Sequence, residues 1–251
     1  MNLTMNRAFR FIHRASLATS CLLFTLSGQT AQHPNDSVSG LVEQFESTTI
    51  FWKQFEVAKK IVALNDESVL QHLEPWLSNE DMHLRGNAAF IFASLGDDRG
   101  FQVIESILQD RSSKRLVVEI DDTGRPSLGR QVRTDRYYAV HLFGDLKDSR
   151  AVPILIPLLK DQDVREGVPW SLGEIGEKSA ILPLIETLED NSSDMRVLAI
   201  YALEKLKATE ALPQLRGLLG DDERIHFDGL GTVAEAAKAA ITALEEIARS
   251  D

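Results

Sequence analysis

What this chain of 251 residues lacks narrows its chemistry before any pattern is read. It has one cysteine, Cys21, close to the N-terminus, so neither a disulfide framework nor a cysteine-ligated metal can hold the body together. Aromatic residues make up only 7%, which leaves Leu, Ile, Val and Ala to build the core. Positive charge is also short: 27 Lys and Arg stand against 38 Asp and Glu, a net charge of −11. A field of that sign repels phosphate backbones and anionic lipid surfaces, which disfavours nucleic-acid binding. A nucleophile elbow, a phosphate loop, a zinc signature and a dinucleotide fingerprint are all missing. No catalytic residue, cofactor or metal site is therefore expected, and the chain reads as a non-enzymatic protein.

What is present begins with an N-terminal targeting pattern. Arg7, Arg10 and Arg14 precede the apolar run Ala15–Leu26, which is followed by Ser27, Gly28, Thr30 and Ala31. Twelve apolar residues are too few to span a bilayer and suit the core of a signal peptide over residues 1–31. Ala18-Thr19-Ser20-Cys21 resembles a lipid-attachment box, but lacks the aliphatic residue three before the cysteine. The expectation is export to the periplasm or the medium, with no membrane span after removal of the signal and lipid anchoring as the weaker alternative.

The body repeats. Pro153, Pro183 and Pro213 stand thirty residues apart, each at the start of an apolar helical pattern, where proline's missing N–H has no helical partner to lose. An acidic turn follows each (Asp161/Asp163, Asp190/Asp194, Asp221/Asp222). Then comes a second helix with an arginine near its start and apolar residues three, seven and ten places on. Arg165 leads to Val168, Leu172 and Ile175; Arg196 leads to Ala199, Leu203 and Leu206; Arg136 and Arg85 lead to equivalent sets. Gln54 and Ala237 take the arginine's place in two further copies, giving six units over residues 38–251. A helix pair of about thirty residues cannot bury its apolar stripe alone and must stack on its neighbours.

The acidic turn, the pairs Val164-Arg165 and Met195-Arg196, and the ending Leu172-Gly173-Glu174-Ile175-Gly176 resemble the HEAT-repeat family, in particular its short bacterial branch called phycobilin-lyase HEAT-like repeats. The resemblance implies an all-α, right-handed α-α superhelix of about six helix pairs. It also implies that the repeat arginines tie each unit to an aspartate of the next, and that the second helices line a concave face. The branch's name points to bilin attachment. No residue here selects a chromophore, and an export signal would separate the chain from cytoplasmic light-harvesting proteins.

With positions three, seven and ten buried, positions one, five and nine share the opposite face. Position five reads Phe90, His141, Trp170, Tyr201 and Thr242, an aromatic ladder of four rings in five in a protein poor in aromatics; around it stand Tyr137, Glu166, Glu174 and Lys205. The ladder suits an extended peptide or another protein's surface, or else it fills the seams between repeats. Pro169 is expected to kink its helix and re-aim Trp170. The chain is expected to be a monomer unless a partner caps it. The alternative is an enzyme or accessory lyase-like protein with its site near His141, Asp145 and Glu166.

Two insertions break the period. At about residues 111–134, Leu116–Ile120 and Leu128–Arg133 read as the strands of a hairpin. This hairpin carries a basic island of Lys114, Arg115, Arg125, Arg130 and Arg133, suited to acidic groups of a partner. At about residues 220–232, Asp221, Asp222, Glu223, His226 and Asp228 match no ion-binding loop and read as a flexible acidic loop.

Overall fold

The computed structural model of the protein describes residues 37–112, 128–226 and 231–250, with the backbone alone for residues 128–133 and 250. All of these belong to one compact unit, Pro34–Asp251. The export segment, and Lys114, Arg115, Arg125 and the strand Leu116–Ile120 of the expected hairpin, lie outside the described residues.

Among the described residues, twelve α-helices fall into the six expected pairs. First helices are α1 (Val38–Ser47), α3 (Leu70–Leu73), α5 (Asp98–Gln109), α7 (Val152–Leu155), α9 (Ile181–Thr187) and α11 (Leu212–Gly217). Second helices are α2 (Phe51–Leu64), α4 (Met82–Ser94), α6 (Leu128–Leu146), α8 (Val168–Ile175), α10 (Ser193–Lys205) and α12 (Val233–Ser250). Several first helices are short because prolines interrupt them. Pro157 has no N–H to continue α7, and the chain tightens into a 3-10 turn over Ile156–Lys160. The second helices pack on one another in chain order, whereas successive first helices do not, so the second helices form the inner layer.

The spacing read from the sequence holds in all six units. Positions three and seven are buried in every copy, from Val57 and Ile61 through Leu172 to Ala240 and Leu244. Position ten (Leu64, Leu95, Leu146, Ile175, Leu206, Ile247) is partly buried against the same core. One place further on, the chain takes a left-handed residue that ends the helix: Asn65, Gly96, Lys147, Gly176 and Lys207 all have positive φ. The repeat therefore fixes backbone conformation as well as burial, even where lysine stands in place of glycine.

The arginine ladder is as the resemblance implied. Arg136 binds Asp161 at 2.7 Å, Arg165 binds Asp190 at 3.0 Å and Arg196 binds Asp221 at 2.9 Å. Each aspartate lies 25 residues after its arginine. The other oxygen of the same carboxylate shapes the turn by accepting the N–H two residues on, at Asp163, Ser192 and Glu223. One aspartate thus closes its own turn and locks its unit to the one before, which explains why the acidic turn recurs.

Three expectations are corrected. The return strand Leu128–Arg133 is the first part of α6, which places Arg130 and Arg133 on a helix; the regular 3.6-residue pattern starting at Arg136 extends backwards instead of breaking. Pro169 does not kink a helix: α8 begins at Val168, and the proline sits in its first turn. The described part of the acidic loop is pinned. Asp221 and Glu223 hold Arg196, Asp194 accepts the His226 N–H at 2.7 Å, Ser193 donates to the Arg224 carbonyl and Ile225 is buried. Among the described residues there is no strand beyond an isolated bridge between Arg224 and Thr232. No helix among them is long and apolar enough to cross a membrane.

Candidate functional site

The expected ladder on the inner layer divides into buried and accessible rungs. Phe90 is buried and packs edge-on against Phe55 of the preceding second helix, with ring centroids 4.9 Å apart. His141 is also buried, lying between Tyr137 at 4.8 Å on its own helix and Trp170 at 4.7 Å on the next. Trp170 and Tyr137 are half-buried, Glu166 is exposed, and Tyr201 is 43% exposed. Position five of one helix faces the flank of the next, so its rings first fill the seam between repeats. The ladder reaches the surface only at Trp170 and Tyr201.

Two glycines make this stack possible. A Cβ on Gly144 would lie 2.6 Å from the Trp170 ring and 2.9 Å from the Ser171 Cα. A Cβ on Gly167 would press on Tyr137 at 3.2 Å and His141 at 3.4 Å. Small residues on α6 and before α8 let the two helices close until the rings interleave. Burial pushes the Tyr137 phenol well above its ordinary value, and the charge of Glu166 adds to the shift.

Beyond the rings, position nine gathers charge. Glu174 is nearly buried and pairs with Lys205 and, at 3.5 Å, with Lys147. Glu174 and Lys205, expected as separate contacts, therefore satisfy each other. Asp145 stands beside them. Burial pushes its carboxyl up to about 7; Glu174 and Glu56 add to the shift, while Lys59 and Lys147 oppose it. The inner layer thus carries a carboxyl that can exchange a proton near neutrality. Among the described residues no group of three or more His, Cys, Asp or Glu could hold a metal.

A second polar cluster escaped the sequence reading. His83 Nδ1 lies 3.0 Å from Asp135, and its ring stacks on Phe51 at 4.5 Å and Tyr138 at 5.0 Å. The Tyr138 hydroxyl donates to Asn87, whose amide donates to Gln54 at 2.9 Å, and Gln54 in turn donates to the Phe45 carbonyl. This chain of fully buried amides crosses three units and is satisfied at each step, as a buried polar network must be. His83 and Asp135 are 52 residues apart with an insertion between them, so no local spacing announces the pair.

The pattern described as HEAT repeats matches residues 131–196 and 160–225, so this part of the chain is similar to HEAT repeats. The chain is 31% identical over 144 residues to the phycocyanobilin lyase subunit alpha of Picosynechococcus sp. (strain ATCC 27264 / PCC 7002 / PR-6), covering 52% of this chain and 50% of that protein. It is 34% identical over 147 residues to the bilin biosynthesis protein PecE of Nostoc sp. (strain PCC 7120 / SAG 25.82 / UTEX 2576), covering 57% and 53%. The chain spans about half the length of these curated relatives. Among solved structures, the complex of CpcE and CpcF of phycocyanin lyase from Nostoc sp. PCC7120 aligns with a TM-score of 0.45 at 18% identity, covering 90% of this chain and 80% of that one. The expectation of a non-enzymatic chain is overturned by these relatives, one of them named a lyase subunit.

Proposed function

We propose that this protein is a lyase-like accessory subunit that holds a bilin, an open-chain tetrapyrrole, against its inner layer of helices. The single observation that carries the proposal is its similarity to a phycocyanobilin lyase subunit and to bilin biosynthesis proteins. The site described above fits that chemistry. Trp170 and Tyr201 offer flat rings for a conjugated pyrrole system. Asp145 offers a proton-exchanging carboxyl, and Glu166 an exposed acceptor for pyrrole N–H groups. The face expected to take a peptide is thereby assigned to a pigment, and the protein partner becomes a companion subunit, as the relative's name implies for that relative.

Titrating the full chain with phycocyanobilin tests the proposal. Binding is expected to red-shift and sharpen the pigment's long-wavelength band, and the double substitution Trp170→Ala/Tyr201→Ala is expected to weaken it at least tenfold with helix content unchanged. No spectral change, or equal binding by the double variant, would overturn it.

Export is a separate proposal, carried by Arg7, Arg10 and Arg14 followed by the apolar run Ala15–Leu26, and it competes with a role on cytoplasmic light-harvesting proteins. Fractionation of cells making the full chain should find a shortened form outside the cytoplasm; full-length protein confined to the cytoplasm would exclude it.

A further inference from the structure

The arginine ladder has one open joint. Arg136, Arg165 and Arg196 each hold the aspartate 25 residues on. The same register sets Asp110 opposite Arg85, and Asp110 forms the usual turn by accepting the Ser112 N–H at 2.8 Å. Yet the buried Nε of Arg85 has no hydrogen-bond partner among the described residues, and neither has the buried hydroxyl of Ser112. Among the described residues no carboxylate is bonded to Arg85, where its three counterparts each hold one, and its buried Nε is an unmet demand in a partly desolvated place.

Arg85 lines a cleft of about 670 Å³ between the second and third units, together with Ser78, Met82, Ser106, Ile107 and Gln109. That volume falls in the range of small-molecule sites. Its lining divides usefully: Met82 and Ile107 give an apolar wall, Ser78, Ser106 and Gln109 give hydrogen-bonding groups, and Arg85 gives the charge. Glu80 and Asp110 also border the cleft. Glu80 weakens the pull of Arg85 on any anion and on a dianion more than on a monoanion, so of the two a single carboxylate is the better fit.

We propose that this cleft binds a small organic acid, with Arg85 taking the ligand's carboxylate as its counterparts take an aspartate, and Met82 and Ile107 covering the apolar body. The site lies at the joint between two repeats and away from the ring stack, and it does not depend on the bilin reading. A ligand there would complete the ladder and tie the second unit to the third.

The test uses the full chain and two probes of equal shape, 4-phenylbutyrate and its neutral carboxamide, followed by calorimetry and thermal unfolding. The carboxylate is expected to bind at least tenfold more tightly than the amide and to raise the unfolding temperature. Arg85→Met should remove that preference and Arg85→Lys should keep part of it, while Trp170→Ala should leave it intact. Without ligand, Arg85→Met should unfold at or above the wild-type temperature, because no ion pair is lost. Equal binding of both probes, equal affinity in Arg85→Met, or a loss of stability like that of the other ladder arginines would overturn the proposal.

Discussion

Replacing Arg136 by methionine is expected to lower the free energy of unfolding by about 3 kcal/mol at pH 7, the low end of what breaking a buried ion pair costs. Arg136 is 2% exposed. It donates to the Leu108 carbonyl at 2.8 Å and to Asp161 at 2.7 Å, and so binds the third unit's two helices to the fourth unit. Methionine fills much of the volume but leaves the Leu108 carbonyl and Asp161 with fewer partners. The loss stays at the low end because Arg111 also reaches Asp161. Burial by itself would raise the Asp161 carboxyl, but the hydrogen bonds from Arg136 and the Asp163 N–H, with the charges of Arg136 and Arg111, outweigh it and hold the group at about 2. A depressed carboxyl stabilises the fold above its unfolded pKa, near 4, and loses that contribution as pH falls towards 2. The gap between wild type and Arg136→Met should therefore be full at pH 7 and narrow below pH 4. Urea unfolding at pH 7, 4 and 2.5 measures it; a gap independent of pH would show that packing, and not the ion pair, was lost.

Asp145 works with the opposite sign. Its folded-state carboxyl titrates at about 7, above the unfolded value near 4, so between those values the folded chain binds more protons than the unfolded one. Stability therefore falls as pH rises from 4 to 7 and is flat above. The full shift corresponds to at most about 4 kcal/mol, and relaxation around Lys59 and Lys147 should reduce this to about 2 kcal/mol. Asp145→Asn imitates the protonated form. It should match wild type below pH 4 and be more stable by about 2 kcal/mol at pH 8. An equal gain at both pH values would mean that the charge is not what costs stability. A group kept at such a cost on the inner layer is what a proton-transfer site requires.

Much of the fold was legible because its determinants are local and repeated. Every second helix announces itself by an arginine, or a stand-in, and by apolar residues at three, seven and ten. At three joints the aspartate that closes the turn is also the arginine's partner, so one residue type at one spacing specified both the turn and the joint. The site was less legible. Position five was correctly seen as aromatic, but its division into buried Phe90 and His141 against accessible Trp170 and Tyr201 was not. His83 and Asp135, distant in sequence and at unrelated repeat positions, gave no sign of meeting.

The sequence by itself determined six stacked helix pairs, because periodicity states which side of each helix must leave water. Tertiary structure alone decided which of the remaining positions stay open. The approach of α6 to α8 is set by Gly144 and Gly167, which close the seam around His141, and no repeat pattern encodes that distance. The same holds for the ladder. Spacing places an aspartate 25 residues after Arg85 as it does for the other three, and the two units pack closely there, yet the Arg85 Nε has no hydrogen-bond partner among the described residues and a cleft lies beside it.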